Sequence, residues 1–341
     1  YLHEIAISDW QTTVAIYGGH VVVNPFKLTL NDAPVNTMID IDLGVPGWKY
    51  GGSLGAQAIP LAPFVNTFQP ERKGSIGGTL TAQTKLSGVG ITGASLQKNL
   101  TGQFDVCATN LNIAVDNIRS NTVYTRLINT LVDTIALIPD LVNNPASTAT
   151  SLLAKLTGSS DSGKSRSGGL TSDLQKSPIN SITLRVTVGS GCVNIQQAGV
   201  QSAAFEAQAH DGTITLNEVV NDSPLQIPVS VLLERSIAQR INLAGNTPTN
   251  AIYAQLPDFL TMKGTLGKVK ADVNYIALSS AVLQGVGGKG SEVGGAIQSL
   301  SGLFSTGKNA ASNRSMPATT NAPAANTQAP VKNRIKGFFG R

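Results

Sequence analysis

The sequence predicts a β-rich α+β protein. Three observations carry that prediction. Apolar residues alternate with polar ones at a period of two from about residue 5 to 118 and again from 179 to 274, the signature of half-buried strands. The composition joins 35 glycines to only 13% charged and 5% aromatic residues, which suits many strands and tight turns better than a helical bundle. A 3.6-residue period replaces the alternation only between the two strand-rich stretches. At 341 residues the chain is long enough to bury a sizeable core.

The strand elements follow in order. Val21 and Val23 alternate in "GGHVVVNP", after a turn at Gly18 and Gly19. Ile39, Ile41 and Leu43 share a face opposite Asp40 and Asp42, and Ile76, Gly78, Leu80, Ala82 and Leu86 mark one side of a long strand. Phe104, Val106 and Ala108 then share a face before the apolar parity flips to Leu111, Ile113 and Val115. A flip near Asn110 predicts a β-bulge that bends the strand without ending it. Val123, Leu127, Leu131 and Ile135, with Tyr124, Ile128 and Val132, predict an amphipathic helix over 121–138, started by Ser120 or Asn121 and closed by Pro139. "TGSSDSGKSRSGGLTS" reads as a Gly/Ser-rich loop.

Alternation returns with Ile182, Leu184, Val186 and Val188, turns over at "GSG" and continues through Val193 and Ile195. Phe205, Ala207 and Ala209, a turn at "HDG", Ile214 and Leu216, and then Leu225 to Val231 complete a meander. "LLERSIAQRINL" is helix-like, and "FLTMKGTLGKVKADV" predicts a last hairpin with Leu260, Met262 and Leu266 on one face. The expected organisation is therefore a first sheet half (1–118), a helical insertion with its loop (119–178), a second sheet half (179–274) and glycine-interrupted helices (275–305). A tail (306–341) closes the chain, and its Ala, Asn, Thr, Ser and Pro cannot bury enough apolar area to order it.

Several function classes find little support. The formal net charge of +5 arises from 25 basic and 20 acidic residues scattered along the chain, which argues against a nucleic-acid partner. Cys107 and Cys192 are too few for a zinc site or a disulfide scaffold; they read as ordinary small strand residues, with a mutual bridge as the alternative. His3, His20 and His210 lie far apart, and His210 reads as a hairpin-turn residue, so no metal centre is expected. No nucleophile-elbow pattern surrounds any serine.

Two glycine motifs resemble phosphate cradles. Gly88-x-Gly90-x-x-Gly93 has the dinucleotide spacing, but the strand before it alternates as a half-exposed antiparallel strand, and "ASLQKNL" offers at most two helical turns after it. Gly158-x-x-x-x-Gly163-Lys164-Ser165 satisfies the phosphate-loop pattern without the strand and helix such a loop joins. Both are read as backbone devices, and no cofactor is expected.

The order "ISDWQTTVAIYGGHVVVNPFKLTL", then "GSIGGTLTAQTKLSGVGITGASLQKNLTGQFDVCATNLNIAVDNI", resembles the C-terminal region of the AsmA family of bacterial envelope proteins. Gly78, Leu80, Gly88, Gly90, Ser95, Leu96, Leu100, Gly102 and Asp116 occupy the places of that family's motifs, and "MKGTLGKVKADV" is similar to its terminal strand. The resemblance implies an elongated antiparallel sheet curled into a trough with an apolar interior, in a periplasmic protein attached to the inner membrane. It implies outer-membrane homeostasis and phospholipid transport, with no catalytic residues.

On that basis the groove candidates are Leu80, Leu86, Phe104, Val106, Leu184, Val186, Phe205, Val229 and Leu260. The expected partner is a phospholipid or other acyl-chain lipid, with envelope proteins as further partners. The alternative is a structural or assembly factor of the outer membrane that binds envelope proteins and has no lipid conduit. The chain starts at Tyr1 inside a strand pattern and has no run of about 18 apolar residues, so an anchor is expected upstream. At the other end Lys332, Arg334, Lys336, Phe338 and Phe339 could touch an anionic lipid surface.

Overall fold

The computed structural model describes residues 4–113, residues 127, 129–131 and 133–135, and residues 173–280 except 175, 242, 246, 276 and 279. By its contacts the chain divides into two units, Tyr1–Ser301 and Gly302–Arg341, and everything described belongs to the first.

Strands β1 (Ile7–Tyr17), β2 (His20–Leu30), β3 (Ala33–Asp42), β4 (Lys49–Pro60), β5 (Thr79–Val89) and β6 (Thr101–Thr109) form a meander in which each pairs antiparallel with the next. β6 pairs directly with β7 (Ile179–Gly189), and β7 with β8 (Cys192–Ser202), so the two strand-rich stretches build one sheet. The remaining strands are β9 (Phe205–Ala209), β10 (Gly212–Thr215), β11 (Pro224–Glu234), β12 (Tyr253–Gln255), β13 (Leu260–Thr265) and β14 (Lys268–Val273), all in the same 14-stranded sheet. An 11-residue strand such as β5 spans about 36 Å at roughly 3.3 Å per residue.

Two short helices close the ends of neighbouring strands. Helix α1 (Ala62–Phe68), which has a proline in its first turn, sets Phe64 against Ala33, Val35, Ala56 and Ile59 in a small core of their own. Helix α2 (Gly93–Asn99) starts at a capping box in which Thr92 and Ser95 satisfy each other's backbone N–H groups. Ideal Cβ atoms built on Gly88 and Gly90 would lie 2.6 Å from Leu96 Cδ1 and 2.2 Å from Leu96 N, so these two glycines let α2 lie against the sheet end.

The larger core occupies one face of β6 to β14. Phe205, Val231, Leu233 and Met262 are buried there together with Leu127, Leu131, Ile135 and Leu174 and with Ile237 of the short helix Arg235–Arg240.

Three local expectations are corrected. β6 ends at Thr109 instead of continuing through a bulge: Asn110 takes a left-handed φ of +55°, after which Leu111 N–H donates to the Asn180 carbonyl at 2.9 Å and Ile113 forms an isolated bridge with Ile179. "HDG" is no hairpin turn. β9 and β10 each pair with both β8 and β11, so they are two pieces of one strand line, interrupted at His210 and Asp211 opposite an extra residue in β8. Of "LLERSIAQRINL", Leu232 and Leu233 belong to β11, and helix starts only at Arg235, where the Glu234 carboxylate accepts the Ile237 N–H at 3.1 Å. Leu232 and Leu233 are held by the ladder to β12.

The turn at "GSG" is as expected: Ser190 and Gly191 both have positive φ and join a Gly189–Cys192 pair, the pattern of a tight hairpin. Most of 119–178, the Gly158 to Ser165 motif, nearly all of 275–305 and the whole of 306–341 lie outside the described residues.

Candidate functional site

Register determines which side chains share a face, since antiparallel partners point the same way. Traced from strand to strand, one face collects the apolar residues, interleaved with threonine and glycine and free of charge along the two ladders that follow. One ladder runs Val14–Val23–Ile39–Gly52–Leu86–Gly102–Val188–Val193–Ile214–Leu225. The next runs Thr12–Phe26–Thr37–Leu54–Thr84–Phe104–Val186–Ile195.

Five of the described strands keep to this face only because they bulge. β1 inserts a residue at Asp9–Trp10, β2 at Asn24–Pro25, β4 at Gln57–Ala58, β7 at Asn180 and β8 at Gln196, each visible as a register shift. In each the apolar parity of the sequence flips: Val21 and Val23 give way to Phe26 and Leu28, Ala56 to Ile59, and Val193 and Ile195 to Ala198 and Val200. An extra residue compensates each flip, so the strand keeps one apolar side.

All nine groove candidates lie on this face, but in two environments. Val186, Phe205, Val229 and Leu260 are buried among the protein's own side chains in the large core. Leu80, Leu86, Phe104, Val106 and Leu184 are half-buried. From β4 toward β1 the same face is buried under α1 at Ala33, Val35, Ala56 and Ile59, and away from that small core it opens to solvent: Leu54 is 36% exposed, Ile39 38% and Val14 53%. These three, with the Trp10–Phe26 aromatic pair at a 5.8 Å centroid separation, were missed by reading the chain strand by strand. The parity flips could have found them. The basic and aromatic candidates Lys332, Arg334, Lys336, Phe338 and Phe339 lie outside the described residues.

The opposite face is polar and ionic. His20 Nε2 lies 2.8 Å from Asp40 Oδ1, and the Arg185 guanidinium donates to Asp105 Oδ1 at 2.6 Å across the β6–β7 pair. That charge-assisted bond holds the Asp105 carboxyl below its usual range. A hollow of about 630 Å³ lies over this side, between Lys27, Asn36, Gln83, Lys85 and Asp105 where Gly55 leaves room. A second of about 480 Å³ adjoins His20, Asp40, Lys49 and Gly51. Cys107 and Cys192 are free thiols on this polar side, opposite Thr183 and Gly189 in the β7 register.

Among the described residues there is no cluster of three or more metal-ligating side chains, and no helix long and apolar enough to cross a membrane. Compared with known proteins, the chain matches no family model, no curated protein and no solved structure.

Proposed function

We propose that the chain handles acyl-chain lipid, phospholipid above all, along the open part of its apolar face, without catalysing a reaction. The observation that carries this is the change of environment along one face. Ladders that end in a buried core at β8 to β14 reach solvent at Leu54, Ile39 and Val14, with threonines and glycines interleaved but no charged residue.

Water-exposed apolar rows of this kind are unfavourable by about 25 cal/mol per Å², a cost that a lipid tail lying on them would remove. In this reading the sheet curls into a trough around the tail, the helix expected over 121–138 closes one end, and the ionic face stays in water. The resemblance to the AsmA family supports a place in the bacterial periplasm, attached to the inner membrane, and a role in outer-membrane homeostasis. The basic-aromatic end at Lys332 to Phe339 would touch a membrane surface.

Mass spectrometry of lipids extracted from gently purified protein tests this. Phospholipid should be recovered from the native chain and lost from I39D/L54D, whose changes fall on solvent-exposed positions. A native chain that carries no amphiphile and takes up no fluorescent phospholipid would end the proposal. The burial of Phe205, Val229 and Leu260 favours a second reading, a structural or assembly factor that binds envelope proteins and whose apolar face serves as an ordinary core. It predicts that outcome.

A further inference from the structure

At one end of the sheet, three neighbouring connections expose apolar side chains together. Tyr17 stands at the β1–β2 turn, Leu43, Val45 and Trp48 on the β3–β4 loop, and Val89 and Ile91 where β5 leads into α2. Tyr17 is 72% exposed and Ile91 61%.

The connections are bonded into one rim. Leu43 N–H donates to the Gly19 carbonyl at 2.9 Å, and Gly90 N–H donates to the Trp48 carbonyl at 3.2 Å. Within the loop, Trp48 N–H donates to the Val45 carbonyl at 3.1 Å, and Trp48 keeps a φ of +48°, a region side-chain-bearing residues rarely adopt. Residues 43–48, Leu-Gly-Val-Pro-Gly-Trp, carry no charge. The loop is flanked by Asp42 and Lys49, which are cross-strand partners, and Lys98 of α2 stands at the same sheet end beside Gly191 of the β7–β8 turn; both lysines are exposed. The rim also lies at the strand ends where the open apolar ladder of Ile16, Val21, Ile41 and Tyr50 runs out.

We infer that this rim docks on a phospholipid bilayer. Trp48 and Tyr17 have the amphipathic rings that settle at headgroup level, Leu43, Val45, Val89 and Ile91 supply the aliphatic area that enters below it, and the exposed Lys49 and Lys98, at the same sheet end, can reach lipid phosphates from either side of it. Docking there brings the end of the apolar face to the membrane, and to that extent the inference rests on the lipid reading above.

Flotation with neutral phosphatidylcholine vesicles tests it, because these vesicles give the basic tail little electrostatic purchase. The full chain should float, and it should keep floating at high salt, since apolar insertion is not screened. V45S/W48S should lose vesicle affinity about tenfold or more, equivalent to ~1.4 kcal/mol. In W10F, where Trp48 is the one tryptophan left, vesicles should shift the emission to the blue, and brominated lipid should quench it. Circular dichroism of both variants checks folding.

The two proposals fail separately. A chain that loads lipid monomers but never floats overturns the rim, and a chain that floats through Trp48 yet takes up no lipid overturns only the trough. Absence of flotation with self-association that V45S/W48S abolishes would assign the patch to protein contact instead.

Discussion

Gly90→Ala tests the packing explanation of the Gly88-x-Gly90-x-x-Gly93 motif most sharply. A Cβ on Gly90 would sit 2.2 Å from Leu96 N, 2.6 Å from Leu96 Cα and 2.5 Å from Ser95 Oγ. Two of those atoms are backbone, so no rotamer change relieves the clash. Helix α2 must move. Leu96 N–H is committed to the Thr92 carbonyl at 2.9 Å, and Thr92 and Ser95 form the capping box, so the displacement breaks the start of the helix as well as its seat. Overpacking costs about 1–3 kcal/mol, and a lost N-cap costs about another 1 kcal/mol; G90A should therefore destabilise by roughly 3 kcal/mol.

Gly93 is the internal control. Nothing lies within 4 Å of the Cβ it would acquire, and it opens the helix, so G93A should stabilise by about 0.5–1 kcal/mol. Urea titrations followed by circular dichroism read both. In a dinucleotide fold the third glycine is the one that helix-to-strand packing requires, so the tolerance should run the other way. G93A as costly as G90A, or G90A within about 0.5 kcal/mol of the native chain, would refute the packing account.

Further expectations concern the bulge, the ionic face and the two environments of the apolar face. Ala58 holds a φ of +52° in the β4 bulge, so A58G should be neutral or stabilising by up to about 1 kcal/mol, whereas A58V should destabilise; thermal melts decide. Asp105 has its pKa lowered by the Arg185 bond, so the pair stabilises above the unfolded value of about 3.9 and loses that contribution as pH falls through the folded value. The stability difference between the native chain and R185A should be below about 1 kcal/mol at neutral pH, because Arg185 is more than half exposed, and should vanish in acid. V231D places a charge at a position with 0% exposure and should abolish folding, while L54D should yield soluble, folded protein by circular dichroism and gel filtration.

Much of the strand content was legible in the sequence because period two is a property of one strand and its own two faces. Alternation puts Leu80 with Leu86 on one side of β5 and Phe104 with Val106 on one side of β6, and the register is what joins those sides to each other and to Leu184. What alternation could not supply was the environment beyond the strand. Val186 and Phe104 are cross-strand partners with the same periodic signal, yet Val186 is buried and Phe104 half-buried. Cover by side chains from distant segments makes the difference. The interruption at His210 was misread for a similar reason: a polar-glycine break has the same local chemistry in a hairpin as between two pieces of one strand, and only the shared partners β8 and β11 tell them apart.

The bulges explain how one apolar side is kept. A regular strand whose parity flips would turn half its apolar residues into water on the wrong side, and the usual remedy is to bury both faces. Here the polar face carries Lys27, Lys85, Asp105 and Arg185, so burying it would strand ionic groups without solvent. One inserted residue in each of β1, β2, β4, β7 and β8 resolves the conflict by returning Thr12, Phe26, Ile59, Ile182 and Ala198 to the apolar side. The repair extends beyond the large core: β2 brings Leu28 and Leu30 against the small core under α1, and β1 keeps Val14 and Ile16 on the same side in solvent. Inserting one residue in each of these strands is what lets a single apolar side run from buried to exposed positions while Lys27, Lys85, Asp105 and Arg185 stay in water on the other.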